Sequence, residues 1–259
     1  MLLTTLGDLL LDVVVRLDEP LAPGSDRSAE TRVGAGGQAA NVAAWAAALG
    51  ATARFVGKRG ADAAGELAAR ELRAHGVEVT GPVGGRNGVV VSLVAAGDRT
   101  MASDRGAAPE LRPEELEPRW FECDALHLSG YSLQREPIAS AALHAAALAR
   151  ANDARVSIDL AAWTAIDDAF RGRLAELDPD LVFANAHERE ALGDFDAAFV
   201  VKRGPDGIVV DGEALPAVPT EVVDPTGAGD ALAGGYLVGG ASLGLEAAAR
   251  CCAKLGAMP

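Results

Sequence analysis

The segment DPTGAGD, from Asp224 to Asp230, combines residue types that can bind an anion and accept a proton. We interpret the preceding EVV as a strand that ends at Asp224, with Pro225 stiffening the turn and a helix beginning between Gly227 and Gly229. Glycines let backbone N–H groups converge there, and the helix dipole adds partial positive charge. A carboxylate at Asp230 suits this place if it accepts a proton from an attacking hydroxyl. An acidic helix start explains GAGD alone, but not the whole segment.

A second glycine-rich segment, VGAGGQAAN at residues 33–41, precedes a predicted helix. Gly36 and Gly37 permit close approach of the backbone to a ligand. Asn41, one turn into an apolar helix, offers hydrogen-bond donors and an acceptor. These features favour a polyhydroxy ligand, although an asparagine here also suits a local hydrogen bond.

The same segment fits a weak dinucleotide-binding pattern, G-x-G-x-x-A, through Gly34, Gly36 and Ala39. Lys58 and Arg59 follow the next predicted strand and could bind a 2′-phosphate. An NADP-dependent reductase is therefore an alternative. It leaves DPTGAGD unexplained, and the pattern begins after a strand outside the predicted core.

Polar residues also follow three other predicted strands. GDLLLD contains Asp8 and Asp12, and two carboxylates there also suit a metal that binds a ligand phosphate. We prefer Asp12 as a hydrogen-bond acceptor for sugar hydroxyls, with Asp8 structural. Asn185 and Glu188 follow the predicted strand DLVFA, and KRGPDG at 202–207 follows AFVV. Both segments lie at strand ends, where a nucleotide could bind.

The elements that must position these residues alternate between strand-like and Ala-rich helical segments. This order predicts parallel strands joined by helices, an α/β layer sandwich, and ligands bind such sheets outside the carboxyl ends of the strands. Intervals 13–33 and 86–103 each predict two strands around a polar turn. These four strands would form a small sheet, a lid inserted in one domain spanning 1–259.

Composition limits the function classes. The 259 residues are 49% hydrophobic and can bury a large core. The net charge is −14 with scattered Lys and Arg, which argues against nucleic-acid or membrane-surface binding. Neither a long apolar run nor a signal peptide is evident, and the cysteines and histidines lack metal-ligand spacing. We expect a cytoplasmic protein with a small-molecule ligand.

In their order along the chain, these motifs resemble the ribokinase-like (PfkB) family of carbohydrate kinases over almost the full length. The resemblance is carried by GD-x3-D, GG-x3-N, N-x2-E, a glycine-bounded loop, DPTGAGD and the terminal GAMP. It implies a three-layer sandwich with a mainly parallel central sheet and a small β-sheet lid. It also implies transfer of the γ-phosphoryl group of ATP, with Mg²⁺, to a hydroxymethyl oxygen of a sugar or nucleoside.

The resemblance further implies roles for individual residues. The catalytic group would be Asp230, with the N–H groups of Gly227, Ala228 and Gly229 stabilising the transferring phosphoryl group. The acceptor would contact Asp12, Gly36, Gly37 and Asn41. Two further candidates come from their own positions and not from the resemblance: Arg105, after the second pair of lid strands, could reach an acidic or phosphorylated acceptor or be a solvated loop charge, and Tyr131 lies at a strand end. The nucleotide would lie against Asn185, Lys202, Gly204, Gly207 and Thr226, and Glu188 would hold the metal through water.

Two features depart from the family pattern. Lys202 stands where relatives usually have threonine, so we expect altered nucleotide contacts, with the lysine meeting phosphate instead. The sequence ends at Pro259 without the closing helix of many relatives, and we do not expect potassium activation.

The identity of the acceptor stays open at this point. The aromatic content of 4% favours a simple sugar over a nucleoside such as adenosine or pseudouridine, which is the alternative within the family. A catalytically silent sugar-binding regulator is a further hypothesis, but it has no use for Asp230. The exposed edges of the small sheet predict a homodimer.

Overall fold

A nine-stranded sheet forms the centre of the computed structural model, which describes residues 1–95, 98–160 and 162–259. Its strands, in spatial order, are β13 (Glu213–Leu215), β12 (Ile208–Val210), β11 (Ala198–Lys202), β10 (Leu181–Asn185), β9 (Arg155–Asp159), β8 (Ala125–Ser129), β1 (Leu2–Leu6), β4 (Thr52–Val56) and β5 (Val77–Thr80). From β11 to β5 all neighbours pair in parallel, whereas β12 and β13 are antiparallel. The predicted mainly parallel sheet is confirmed.

Helices cover both faces of this sheet. They are α1 (Gln38–Ala48), α2 (Ala63–Ala74), α3 (Ile138–Arg150), α4 (Asp168–Leu177), α5 (Ala186–Leu192) and α6 (Ala228–Cys252). Successive residues of β10 point to opposite faces: Phe183 packs in the cluster with residues of α1 and α6, and Val182 in the cluster with α3 and α4. Burial on both faces explains why the central strands are mostly apolar, as in LVFAN of β10. The result is the three-layer sandwich that the resemblance implied.

A separate four-stranded sheet has the order β3 (Ala29–Gly36), β2 (Leu10–Leu17), β6 (Asn87–Ala95) and β7 (Asp98–Gly106). We call it the small sheet. Its central pair, β2 and β6, is parallel, and its outer pairs are antiparallel. The four strands predicted from 13–33 and 86–103 are present, although β2 begins earlier and β7 ends later. The predicted turn in the second interval falls on residues 96–97, which lie outside the described residues.

The prediction of a strand at EVV, residues 221–223, is wrong. This segment has irregular structure, and Val222 and Val223 are 61% and 52% exposed. The N–H of Val223 donates to the carbonyl oxygen of Cys252 at the end of α6, not to a neighbouring strand. The sheet edge on that side is instead formed by β12 and β13, three residues each, which were not predicted because such short strands carry little periodic signal.

Helix α6 is interrupted in its middle. Gly239 and Gly240 have non-helical backbone angles, with φ of +79° at Gly240. The kink separates a first half that begins at the carboxyl edge of the sheet from a second half that ends near residue 252. Within the described ranges no helix, α6 included, combines the length and apolar character that a membrane span requires.

Asp62 connects the main body to the small sheet. Its Oδ1 accepts the N–H of Gly65 at 3.0 Å and caps α2, and its Oδ2 accepts the N–H of Asn87 at 2.9 Å, where β6 begins. The Asn87 side chain in turn accepts the N–H of Gly60 at 2.9 Å. The two backbone hydrogen bonds hold the pKa of Asp62 below its ordinary value.

We expect Asp62→Ala to lower the free energy of unfolding by about 1–2 kcal/mol at pH 7, because it removes a helix cap and a second backbone bond. The measurement is urea denaturation followed by circular dichroism. Because the pKa of Asp62 is lower in the folded protein than in the unfolded chain, ionised Asp62 stabilises the fold at pH values above the unfolded-state pKa. This stabilisation is lost as the pH falls through the folded-state pKa. The difference from the wild type should therefore shrink towards pH 3. Asp26→Ala, in an exposed loop, is the control and should change stability by less than about 0.5 kcal/mol.

Candidate active site

A cavity of about 380 Å³ opens at the carboxyl edge of the large sheet, under the small sheet. The chain passes from β1 to β4 on one side and reaches β8, on the other side of β1, only later. Such a reversal of strand order opens a crevice at the strand ends. We call this the main cavity. Among its lining residues are twelve of the predicted ones: Asp12, Gly37, Asn41, Arg105, Tyr131, Asn185, Glu188, Lys202, Thr226, Gly227, Gly229 and Asp230.

Four predicted residues do not line the main cavity. Gly204, Gly207 and Ala228 border a neighbouring apolar groove. Gly36 lies against Asp12: a Cβ atom at position 36 would stand 2.1 Å from the Asp12 carboxyl carbon. A glycine here therefore makes room for a side chain of the protein itself, whereas the sequence analysis expected room for a ligand.

One face of the small sheet borders the main cavity. The lining residues on β7 are spaced by two, as expected for side chains on one face of a strand. The contributing residues of the small sheet are Leu10, Asp12, Val90, Met101, Ser103 and Arg105. Sequence analysis identified two of these six, because the alternation in β7 became informative only once the strand was located.

Asp230 and Asn41 meet where helices α6 and α1 begin. Asn41 Nδ2 donates to Asp230 Oδ2 at 2.7 Å, and Asn41 Oδ1 is buried with no hydrogen-bond partner in the described parts of the chain. Burial raises the pKa of Asp230 to about 7; Asp159 and Asp12 raise it as well, and the Asn41 bond and Lys202 oppose the shift. A carboxylate with a near-neutral pKa is suited to accept a proton from a hydroxyl.

The turn before α6 presents backbone groups to the main cavity. Gly227 has φ of +77°, and a Cβ atom there would lie 2.4 Å from the Ala257 side chain, so glycine is required. The N–H of Ala228 donates to Pro225 O at 3.2 Å within the turn. Gly227 and Gly229 line the cavity, beside the positive end of the helix dipole. This arrangement favours an anion at the start of α6.

A buried ion pair lies beside this helix start. Lys202 Nζ, at the end of β11, is 2.6 Å from Asp159 Oδ2, at the end of β9, and Asp159 is almost fully buried. A methyl group on Gly229 would lie 3.4 Å from Lys202 Nζ, so the ammonium adjoins the first turn of α6. Burial lowers the pKa of Lys202, but the nearby carboxylates outweigh this and the net pKa is raised. Lys202 therefore stays protonated at neutral pH.

Asp159 was missed by the sequence analysis. It ends the strand RVSID at the carboxyl edge of the sheet, the same position that identified the other polar residues. Applying that criterion to every predicted strand would have found it.

A second ion pair joins the small sheet to the main body. Arg105 Nε and Nη2 donate to Asp8 Oδ2 and Oδ1 at 2.6 and 2.9 Å, and the guanidinium lies 5.6 Å from the centre of the Tyr131 ring. Asp8 is thus engaged in holding Arg105 in place. Two parallel hydrogen bonds of this kind fix orientation as well as distance.

The spacing of Asn185 and Glu188 has a local explanation. Asn185 Oδ1 accepts the Glu188 N–H, and Glu188 accepts from the Asn185 N–H and side-chain amide at 2.7 Å each. This reciprocal pattern is a capping box at the start of α5. Burial raises the pKa of Glu188.

The residues around Glu188 offer few free ligands for a metal ion. Both Glu188 oxygens accept hydrogen bonds, and the described residues contain no group of three or more His, Cys, Asp or Glu arranged to hold a metal ion. Mg²⁺ usually keeps several waters and binds through one or two carboxylates together with phosphate oxygens. The residues therefore fit a magnesium ion bound mainly through a ligand phosphate, and not a site built by protein ligands alone.

An apolar groove of about 580 Å³ adjoins the main cavity, and the two share Lys202, Pro225 and Gly229 in their linings. The groove lies between residues 204–222 and α6. Its further lining residues are Gly204, Pro205, Gly207, Ala217, Val218, Pro219, Thr220, Val222, Ala228, Leu232, Leu245, Ala248, Ala249 and Cys252. Most of these were not predicted, because nothing in an irregular segment or an Ala-rich helix marks them in the sequence.

The geometry does not favour a reductase. The G-x-G-x-x-A pattern begins in β3, an edge strand of the small sheet, and not after a strand of the large sheet. Lys58 binds Glu115 at 2.6 Å. A dinucleotide-binding turn would instead join a core strand to its helix.

Comparisons with known proteins identify the family of this chain. Residues 2–258 match the model of the family described as "pfkB family carbohydrate kinase". The chain is 34% identical to an ATP-dependent ribose-1-phosphate kinase of Halopiger xanaduensis, over 89% of the chain and 82% of that protein. It is 28% identical to a fructokinase of Escherichia coli, over 93% of the chain and 85% of that protein. It is also similar to the crystal structure of adenosine kinase from Sinorhizobium meliloti, with a TM-score of 0.86 and 26% identity over 99% of the chain and 95% of that structure.

We expect Asp230→Asn to stabilise the fold at pH 8 and to leave stability unchanged at pH 4. The carboxyl pKa of Asp230 is raised to about 7 in the folded state, whereas the unfolded-state pKa is about 4. At pH values above about 4 the folded protein must therefore either keep this carboxyl protonated or bury its charge. The free energy of unfolding consequently falls between about pH 4 and 7. Asparagine removes this cost. Thermal unfolding across this pH range is the measurement, with an expected increase of several degrees at pH 8, since about 1 kcal/mol shifts the melting temperature by about 2–4 °C in a chain of this size. A melting temperature equal to that of the wild type at pH 8 would contradict the raised pKa.

Proposed function

This chain belongs to the pfkB family of carbohydrate kinases, and we propose that it transfers the γ-phosphoryl group of ATP to a hydroxymethyl oxygen of a small sugar. The observation that carries the proposal is the meeting of three groups at the start of α6. These are a carboxylate with a near-neutral pKa, a protonated lysine and the first backbone amides of a helix. Together they suit proton removal from an alcohol and stabilisation of phosphoryl charge.

Asp230 is the proposed base. Its Oδ2 accepts a hydrogen bond from Asn41, which orients the carboxylate, and the acceptor hydroxyl would donate its proton to Asp230 as the oxygen attacks phosphorus. The buried Oδ1 of Asn41 would accept a hydrogen bond from another acceptor hydroxyl. One amide would thus orient both the base and the substrate.

The transferring group would lie where the main cavity and the apolar groove meet. The N–H groups of Gly227 and Gly229 and the Lys202 ammonium would stabilise its charge, and the nucleotide base would occupy the groove. Magnesium, bound through the phosphates and through water to Glu188, would neutralise phosphate charge when present. Closure of the small sheet over the cavity would exclude water, which otherwise competes with the sugar.

The main cavity favours a neutral sugar as the acceptor. Asp12, Asn41 and Asp230 offer hydrogen-bonding groups to hydroxyls, and Tyr131 is the one aromatic residue among the described residues of the lining. The fructokinase similarity supports this choice. The similarity to a ribose-1-phosphate kinase suggests a phosphorylated acceptor, whose phosphate would need a cation such as Arg105. Arg105, however, is already engaged by two hydrogen bonds to Asp8. A nucleoside is the alternative, supported by the adenosine kinase similarity.

We place the reaction in the cytoplasm, where ATP is available. We also infer pairing of two copies through the small sheet, whose outer strands β3 and β7 are open edges. Size-exclusion chromatography with light scattering measures the state, and a monomer at micromolar concentration would contradict the inference.

The kinase proposal predicts ADP release that depends on both an acceptor and magnesium. A coupled assay over pentoses, hexoses, sugar phosphates and nucleosides identifies the acceptor class. Asp230→Asn should lower kcat by about 10²–10⁴-fold, because the general base is lost, and should change the acceptor KM little. In the wild type, kcat/KM should fall about tenfold per pH unit below about pH 7 as the base is protonated.

Asp196→Asn changes an exposed carboxylate that does not line the cavity; it is the matched control and should retain wild-type kinetics. Absence of turnover with every acceptor, together with no change of melting temperature in Mg-ATP, would overturn the kinase proposal.

The role proposed for Lys202 predicts a different kinetic pattern. Lys202→Met should raise the KM for ATP and lower kcat, each by at least about tenfold, because a charge-assisted contact to phosphate is lost. It also deprives Asp159 of its ion-pair partner, so the double variant Lys202→Met/Asp159→Asn tests activity without an uncompensated charge. Lys58→Met is the control, since Lys58 forms a comparable 2.6 Å ion pair with Glu115 away from both cavities. Equal kinetic losses in Lys58→Met would contradict a specific role for Lys202.

A further inference from the structure

The apolar groove has few groups that could distinguish one nucleotide base from another. Within the described ranges of the chain, three of its lining side chains are polar: Lys202, Thr220 and Cys252. Lys202 is bound to Asp159, and Thr220 Oγ1 donates to the carbonyl oxygen of Ala249 at 3.4 Å. A thiol such as Cys252 is a weak donor and acceptor.

Only part of the backbone around the groove offers hydrogen-bond donors. Pro205, Pro219 and Pro225 have no N–H group, and the lining residues of α6 beyond its first turn donate theirs within the helix. The irregular segment keeps backbone N–H and C=O groups at Ala217, Val218, Thr220 and Val222. In the part of the chain that the structure describes, the lining contains no aromatic side chain on which a base could stack. Contact with a base would therefore be made mainly by aliphatic carbon atoms of residues such as Val222, Leu245 and Ala248.

We propose that the groove accepts the base of any nucleoside triphosphate with little preference, so that GTP, CTP and UTP serve as phosphoryl donors alongside ATP. This inference rests on the proposed function and extends it to the choice of donor. The common triphosphate contacts Lys202 and the start of α6, and these contacts are the same for all four nucleotides. The reaction is otherwise unchanged: the bond between the γ-phosphorus and the bridging oxygen breaks, a bond to the acceptor oxygen forms, and the corresponding nucleoside diphosphate leaves.

The size of the expected preference follows from the character of the groove. An apolar pocket distinguishes ligands by shape and discriminates by about 10–200-fold, whereas a site with dedicated hydrogen bonds to a ligand rejects an analogue that lacks them by about 10⁴–10⁵-fold. At about 580 Å³ the groove is within the range that holds drug-sized ligands, so a single base is not tightly confined. We expect the Kd and kcat/KM values of the four nucleotides to lie within about a hundredfold of one another.

The first experiment measures binding and turnover separately. Isothermal titration calorimetry gives the Kd of each Mg-nucleotide for the full chain, and product formation with a fixed acceptor gives kcat/KM for each donor. Four Kd values that lie within a hundredfold of one another support the inference. A preference for Mg-ATP larger than a hundredfold overturns it and assigns base recognition to the backbone of residues 217–222. Absence of binding by all four also overturns it. Binding of all four without turnover supports the broad groove but counts against the proposed kinase activity.

Variants test whether the groove is the site. Ala248→Leu narrows it and should weaken binding of all four nucleotides by a similar factor of about ten, since overpacking costs at least about 1 kcal/mol. Thr220→Val removes the hydroxyl group found among the described lining residues and should leave the ratio of ATP to GTP affinity unchanged. A change of more than tenfold in that ratio would overturn the inference. Ser242→Leu places the same leucine at an exposed position of α6 outside the groove and is the control for Ala248→Leu. If the control weakens nucleotide binding equally, the groove is not the base site.

Discussion

The hydrogen bond from Asn41 to Asp230 connects the first turns of α1 and α6, and the candidate site depends on this connection. Both helices begin at the carboxyl edge of the large sheet and pack on the same face of it. The burial produced by that packing removes water from the Asp230 carboxylate and raises its pKa to about 7. The same packing therefore determines both the position of the carboxylate and its basicity. Asn41 opposes part of the pKa shift while fixing the orientation of the carboxylate.

Charge in this protein is balanced locally. The chain carries a net charge of −14, yet an ammonium and a guanidinium both border the main cavity. Each is held by a carboxylate at the end of a core strand: Lys202 by Asp159 and Arg105 by Asp8. Buried pairs of this kind add little net stability, because the cost of desolvation offsets their attraction, but breaking one is costly. Their main effect here is to hold two cations at defined places in an acidic protein.

Several features of the site could be predicted from the sequence because their signals are local. The position of polar residues after predicted strands, together with the glycine-rich motifs and the family resemblance, identified twelve of the residues that line the main cavity. The same reasoning failed at EVV, since three valine-rich residues satisfy the strand pattern but have no neighbouring strand with which to pair. Asn185 and Glu188 were predicted as nucleotide and metal contacts, and their spacing is explained at least equally well by the capping box of α5. Asp159 was missed, although it satisfies the criterion that found its neighbours.

The sequence by itself determined the alternation of strands and helices, the four strands of the small sheet, the placement of the motifs at strand ends and the family resemblance. These depend on hydrophobic periodicity, turn residues and short motifs, all of which act over a few residues. Only the tertiary structure decided which strand ends meet. Asn41 and Asp230 are 189 residues apart in the chain, and Asp159 and Lys202 are 43 apart. Their proximity, and the pKa shifts that follow from it, arise from strand order and burial, which are properties of the packed chain and not of any local segment.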